Sequence, residues 1–238
     1  MINKTIVALD NMNLEQARLF LKINGEIQLV KIGMEMFYGH GQNIVNDLVD
    51  DFNVGVFLDL KLHDIPNTVS KAIKSLQGLP IKFLTIHAIG GEQMIRAAME
   101  AKRRYLPNTM ILGVSYLTSL SENHFKNVYG LESNQIDEAF NRVFKVGLEE
   151  KIDGFILSGH ELPLLKELAA KNNMSPIKIC PGIRFEDEID SGALQDQKRV
   201  MDPKLAFKSG ADYLVMGRSL TQAKSLEQRI NQLKALSN

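Results

Sequence analysis

The chain has 238 residues, 45% of them apolar and 24% charged, with 28 basic residues against 28 acidic ones. That length can bury a large core, and a net charge of zero gives no basis for nucleic-acid binding or attraction to a membrane surface. The single cysteine, Cys180, excludes an internal disulfide, and with no apolar signal core after Met1 and no uncharged run of spanning length a cytoplasmic location is expected.

Short β-branched apolar runs alternate with longer amphipathic stretches along the whole chain. Thr5–Leu9 reads as a first strand ending at Asp10, and Leu14–Ile23 as a helix capped by Asn13 and stopped near Gly25. A second strand, Gln28–Gly33, carries Lys31 and precedes a helix over Gly41–Phe52. The third strand, Gly55–Leu60, runs into Asp59, Lys61 and Asp64. A helix follows over Asn67–Leu76, with Asn67 as its cap and Gly78 beyond its end. His87 closes a fourth strand, Phe83–Ala88, ahead of a helix over Glu92–Tyr105. Ser115 lies in a fifth strand, Met110–Leu117, with Thr118 just after it and a helix over Gln135–Glu150 downstream. The sixth strand, Gly154–Ser158, leads to a helix over Leu162–Lys171. Cys180 sits inside a seventh, Ile177–Pro181, as a small apolar filler, and Arg184 follows. Phe185–Val200 is the one long irregular stretch, a length that marks a functional loop. Asp202 and Pro203 open a helix over Pro203–Ser209, stopped by Gly210. The eighth strand, Tyr213–Gly217, meets Arg218, Ser219 and a last helix over Leu220–Leu236.

Eight βα units predict an α/β fold, a (β/α)8 TIM barrel occupying residues 1–238 as one domain. An open doubly wound sheet would need a Gly-rich phosphate turn after an early strand, and Asp10-Asn11-Met12-Asn13 is not one. In a barrel all strand ends share one mouth, so Asp10, Lys31, Asp59, Lys61, His87, Ser115, Thr118, Ser158, Arg184 and Arg218 converge there. Asp59 and Lys61 stand two residues apart on a strand and project together, from a segment too apolar for a surface. Such a pair is either a structural ion pair or a reactive site. Gly217-Arg218-Ser219 at a helix opening, with Arg184 one strand away, makes a site for a phosphate monoester. The histidines read as structural: His87 as hydrogen-bonded, His63 as a neighbour of Lys61 rather than a base, His40, His124 and His160 as loop or cap residues. No set of His, Asp and Glu has metal-ligand spacing, so no metal is expected.

Asp59-x-Lys61-x-x-Asp64-Ile65-x-x-Thr68 resembles the signature of the orotidine 5'-phosphate decarboxylase family. The likeness extends to Val7-Ala8-Leu9-Asp10, Val30-Lys31-Ile32-Gly33, Thr85-Ile86-His87-Ala88, Leu117-Thr118-Ser119, Pro181-Gly182-Ile183-Arg184, Asp196-Gln197-x-Arg199 and Val215-Met216-Gly217-Arg218-Ser219. The Asp-x-Lys-x-x-Asp core is shared with related ketohexulose- and ketogulonate-phosphate lyases, which resemble it on the same barrel and use magnesium. The Ile65-Pro66-Asn67-Thr68 continuation points to the nucleotide enzyme instead. The resemblance implies that Lys61 gives a proton to C6 of the pyrimidine, that Asp59 sits by the departing carboxylate, and that Lys31 lies between the ribose and Asp59. It implies that Asp10 binds ribose hydroxyls, Thr118 contacts the pyrimidine, and Arg184, Gly217, Arg218 and a glutamine (Gln197, or the adjacent Gln195) hold the phosphate under the Phe185–Val200 loop. Asp64 and Thr68 are expected to reach the site of a neighbouring subunit in a homodimer, and Ile65 is expected to bind substrate. No cofactor is implied.

Those charges suit the reaction. Loss of CO2 leaves a carbanion at C6 that the ring delocalises poorly, so preplaced charge must stabilise it. Burial lowers a lysine pKa, so flanking carboxylates are needed to keep Lys61 an ammonium. Three acids, Asp10, Asp59 and Asp64, against Lys31 and Lys61 leave the empty site one negative charge.

Overall fold

Inward and outward side chains alternate along every strand, and that alternation builds two cores in the computed structural model, which describes residues 1–190 and 200–236. Strands β1 (Thr5–Ala8), β2 (Leu29–Gly33), β3 (Gly55–Leu62), β4 (Ile81–His87), β5 (Met110–Val114), β6 (Gly154–Ile156), β7 (Ile177–Cys180) and β8 (Tyr213–Met216) pair in parallel and in sequence order. β8 returns to β1 through Thr5 opposite Leu214 and Val7 opposite Met216, closing the barrel. Inside it Ile6, Ala8, Leu29, Phe57, Phe83, Leu112, Ile179 and Val215 form the inner core. Phe57 and Phe83 meet edge to face at 6.1 Å, and burying each ring is worth roughly 1.5–3 kcal/mol. Outside it Val7, Val30, Ile32, Val56, Leu58, Leu84 and Ile86 face the helices.

The helices are α1 (Leu14–Ile23), α2 (Met34–His40), α3 (Asn43–Phe52), α4 (Pro66–Ser75), α5 (Glu92–Tyr105), α6 (Glu122–Tyr129), α7 (Ile136–Glu149), α8 (Leu162–Lys171), α9 (Glu186–Asp190), α10 (Pro203–Ser209), α11 (Arg218–Thr221) and α12 (Leu226–Ala235). α1, α5, α8 and α10 occupy the ranges expected from the sequence. Asn13 and Asp202 cap as expected, each accepting from the backbone three residues on, and Gly210 ends α10 at φ 106°. Among the described residues no helix is long and apolar enough to cross a membrane.

Several expectations need correction. Asn67 is not a cap: Pro66 takes the first helical position, where its missing N–H costs nothing, and Ile65 is the cap residue. α1 ends at Ile23 with Asn24 as its C-cap, and Gly25 lies just beyond. β5 stops at Val114, because its partner β6 ends opposite it at Ile156. The last helix is two, split where the Ser225 hydroxyl accepts from the Gln228 amide and starts α12 afresh. The short helices α2 and α6 were not anticipated. α2 takes part of the stretch ahead of α3, and Gly41 ends it at φ 72°. Phe185–Val200 is not irregular throughout, since α9 starts it; Asp187 pairs with Arg229 of α12 at 2.7 Å. Residues 191–199 of that stretch, with Gln195, Asp196, Gln197 and Arg199, lie outside the described residues. Its flanks are tied together, Met201 donating to the Gly182 carbonyl and Arg184 to the Met201 carbonyl, both at 3.1 Å.

Candidate active site

Strand register decides which charges meet at the mouth of the barrel. Lys31 stands one inward position above Leu29, Asp59 one above Phe57, and Asp10 follows β1. Both oxygens of Asp10 accept from Lys31 Nζ, at 2.7 and 2.8 Å. Lys31 Nζ lies 3.7 Å from Asp59 Oδ2, and Lys61 Nζ donates to that same oxygen at 2.8 Å. The result is a row of alternating sign, Asp10, Lys31, Asp59, Lys61. Its middle is the most enclosed part: the side chains of Lys31 and Asp59 are 10% and 12% exposed, those of Lys61 and Asp10 26% and 43%. Burial by itself would raise the Asp59 pKa. The ammonium groups of Lys61 and then Lys31, with hydrogen bonds from Lys61 and Thr85, reverse that and hold its carboxyl below the usual carboxylate range.

Lys61 reaches Asp59 by a route that simple strand alternation does not describe. Its backbone is in the left-handed region at φ 49°, unusual for a residue with a side chain. β3 bulges there, since Leu58 pairs with Leu84 but the next pairing is Leu62 with Ile86. Lys61 lines the mouth from this bulge.

Beside this row lies a cavity of about 360 Å³, lined by all four charged residues and by Asn11, Tyr116, Thr118, Pro181, Arg184, Gly217 and Arg218. Its floor is apolar, from Ala8, Phe57, Val114, Ile156 and Val215. The cavity therefore combines the charged row, an apolar floor and two guanidinium groups. Arg218 opens α11 directly after Gly217, and Arg184 Nη1 donates to the Ile183 carbonyl at 3.0 Å. Asp64, Ile65 and Thr68 do not line this cavity. They are exposed around the start of α4, Ile65 at 66%. Among the described residues no group of three or more His, Cys, Asp or Glu side chains is placed to hold a metal ion.

Two residues were missed or misread from the sequence. Thr85 bridges the Lys61 backbone amide and Asp59, and inward alternation from Phe83 along β4 could have found it. His87, expected to be hydrogen-bonded, has a buried Nδ1 with no hydrogen-bond partner among the described residues and a ring 5.2 Å from that of His63. Burial, then His63 and Lys61, push its pKa down to about 4. Cys180 is buried as expected, and burial pushes its thiol up to about 12. His124 pairs with Ser121 at the start of α6, as a cap residue.

The chain is similar to known proteins along nearly its whole length. The profile of the orotidine 5'-phosphate decarboxylase / HUMPS family matches residues 3–233. The chain is 39% identical over 230 residues to the orotidine 5'-phosphate decarboxylase of Carboxydothermus hydrogenoformans, covering 94% of this chain and 91% of that protein. It is 37% identical to that of Streptococcus thermophilus, covering 99% and 98%. The crystal structure of orotidine 5'-phosphate decarboxylase from Lactobacillus acidophilus superposes with a TM-score of 0.78 at 31% identity, over 99% of each chain.

Proposed function

The chain belongs to the orotidine 5'-phosphate decarboxylase / HUMPS family, and from that premise we propose that it is a carboxy-lyase converting orotidine 5'-phosphate to UMP, the last step of pyrimidine nucleotide synthesis. The observation that carries this reading is the alternating row Asp10, Lys31, Asp59, Lys61 beside a cavity that Arg184 and Arg218 also line.

In this reading the phosphate binds to Arg184 and the Gly217-Arg218 step, with Gln197 or Gln195 contributing from the 185–200 segment. Asp10 accepts from ribose hydroxyls and Lys31 orients it. Thr118 contacts the pyrimidine over the apolar floor. The orotate carboxylate then lies near Asp59. Like charges about 4 Å apart repel by roughly 4 kcal/mol at an effective dielectric near 20. Departure of CO2 relieves that repulsion, and phosphate binding far from C6 offsets its cost in the bound state. The C6–carboxyl bond breaks, its electron pair stays on C6, and Lys61 Nζ–H gives C6 a proton. The neutral amine then recovers a proton from water. Before transfer the ammonium stabilises the forming carbanion electrostatically. Lys31 and Lys61 supply the positive charge at the reacting end, so the reaction needs no metal.

The active unit is a homodimer with Asp64 and Thr68 completing the neighbouring site; their exposure around the start of α4 supports this. The test follows loss of orotate absorbance from orotidine 5'-phosphate in EDTA, alongside a 3-keto-hexulose phosphate with magnesium. Decarboxylation undiminished by EDTA is expected. Turnover of the hexulose phosphate alone, dependent on magnesium, would move the chain to the lyase branch of its family.

A further inference from the structure

The bulge in β3 sets three residues, Asp59, Leu60 and Lys61, opposite a single residue of β4, Thr85. A bulged segment loses its ladder hydrogen bonds, and a buried amide left unpaired is costly. Here the fully buried Thr85 hydroxyl replaces the missing partner. The Lys61 backbone N–H donates to Thr85 Oγ1 at 2.9 Å, and that hydroxyl's one proton goes to Asp59 Oδ1, also at 2.9 Å. The other carboxylate oxygen, Oδ2, accepts from Lys61 Nζ at 2.8 Å. The four groups close a ring: backbone amide to hydroxyl, hydroxyl to carboxylate, ammonium to the same carboxylate.

We propose that Thr85 is a positioning residue for the decarboxylation, its hydroxyl fixing both the Asp59 carboxylate and the left-handed backbone of Lys61 so that the ammonium stands where the carbanion forms. This rests on the roles of Asp59 and Lys61 proposed above. A hydroxyl suits the task because it accepts from one group and donates to the other at once. Valine has the same shape and does neither. Preorganised charge acts on the transition state more than on the bound substrate, so losing the clamp lowers kcat more than it weakens binding. Thr85 has no place in the cavity lining, which separates its effect from direct substrate contact.

The test compares Thr85→Val, Thr85→Ser and Thr85→Ala with the unaltered protein, measuring kcat, KM for orotidine 5'-phosphate and the Kd of UMP. Loss of a hydrogen bond to a charged group predicts a fall in kcat of about 10–100-fold in Thr85→Val, with KM and the UMP Kd changed by less than about 3-fold. Thr85→Ser should restore kcat to within about 3-fold, while Thr85→Ala should not. If Thr85→Val fails to fold, the Ser–Ala pair still isolates the hydroxyl. Equal kcat in Ser and Ala, or a parallel loss of kcat and UMP affinity in Thr85→Val, overturns the proposal. Lys61→Ala, measured alongside, distinguishes the two levels: if it keeps full activity, the proposed chemistry fails; if it is inactive while Thr85→Val is unimpaired, only the positioning role fails.

Discussion

A non-glycine residue in the left-handed region costs roughly 1–2 kcal/mol, and Lys61 adopts it at the reacting end of the barrel. The surroundings hold it there: a buried carboxylate on its ammonium and a buried hydroxyl on its amide. Strain of this kind gathers where side-chain aim matters more than local stability. His87, behind the same array, gives a pH prediction. Its pKa is about 4 in the fold and near 6.5 in the unfolded chain. Above pH 6.5 it is neutral in both states and contributes no slope. Between pH 6.5 and 4 the unfolded chain binds the extra proton, so stability falls as pH falls; below 4 this loss is complete. Urea midpoints at pH 7 and pH 5 should therefore differ less in His87→Gln than in the unaltered protein. An identical difference in both would assign the acid sensitivity to other groups. The charged pair is legible in the sequence, and its support is not. Asp59-x-Lys61 is visible as an i, i+2 pair, whereas the bulge that makes Thr85 their common partner depends on pairing between strands, which no single segment encodes.

At the scale of elements, the turn from β8 into α11 delivers Arg218 to the lining of the cavity that Lys61 also faces. A charge-assisted contact to phosphate there is worth roughly 1.5–3 kcal/mol. Arg218→Ala should lower kcat/KM for orotidine 5'-phosphate by about 10–100-fold and barely change the slower reaction of the phosphate-free nucleoside. Equal losses on both substrates would mean that Arg218 supports the barrel or the charged row instead. Helices with a strong apolar period and a clear cap were legible to their ends, as in α1 behind Asn13 and α10 behind Asp202 and Pro203. The short helices were not. α2 buries only Met36 and α6 only Phe125, too little periodicity to announce a helix before tertiary packing supplies it. At α4 the preference of Pro66 for the first helical position outweighs the capping preference of Asn67.

Across the whole molecule, eight parallel strands bring residues from positions 10 to 218 to one mouth, which is why polar strand ends far apart in sequence could be read together. The subunit reading makes its own prediction at this scale. Because Asp64 lies outside its own cavity, Lys61→Ala and Asp64→Ala subunits, each inactive alone, should regain part of their activity when mixed. One of the two sites in the hybrid has both residues intact. If the subunits exchange and no activity returns, Asp64 acts within its own chain. The central claim is that Lys61 both stabilises and protonates the C6 carbanion. Its most direct test is the turnover of orotidine 5'-phosphate by Lys61→Ala protein that still binds UMP with unaltered affinity. Removing an electrostatic and a proton-donating contribution together should reduce kcat by at least about 10⁴-fold. A folded, UMP-binding Lys61→Ala protein with kcat within about 10-fold of the original would contradict the account.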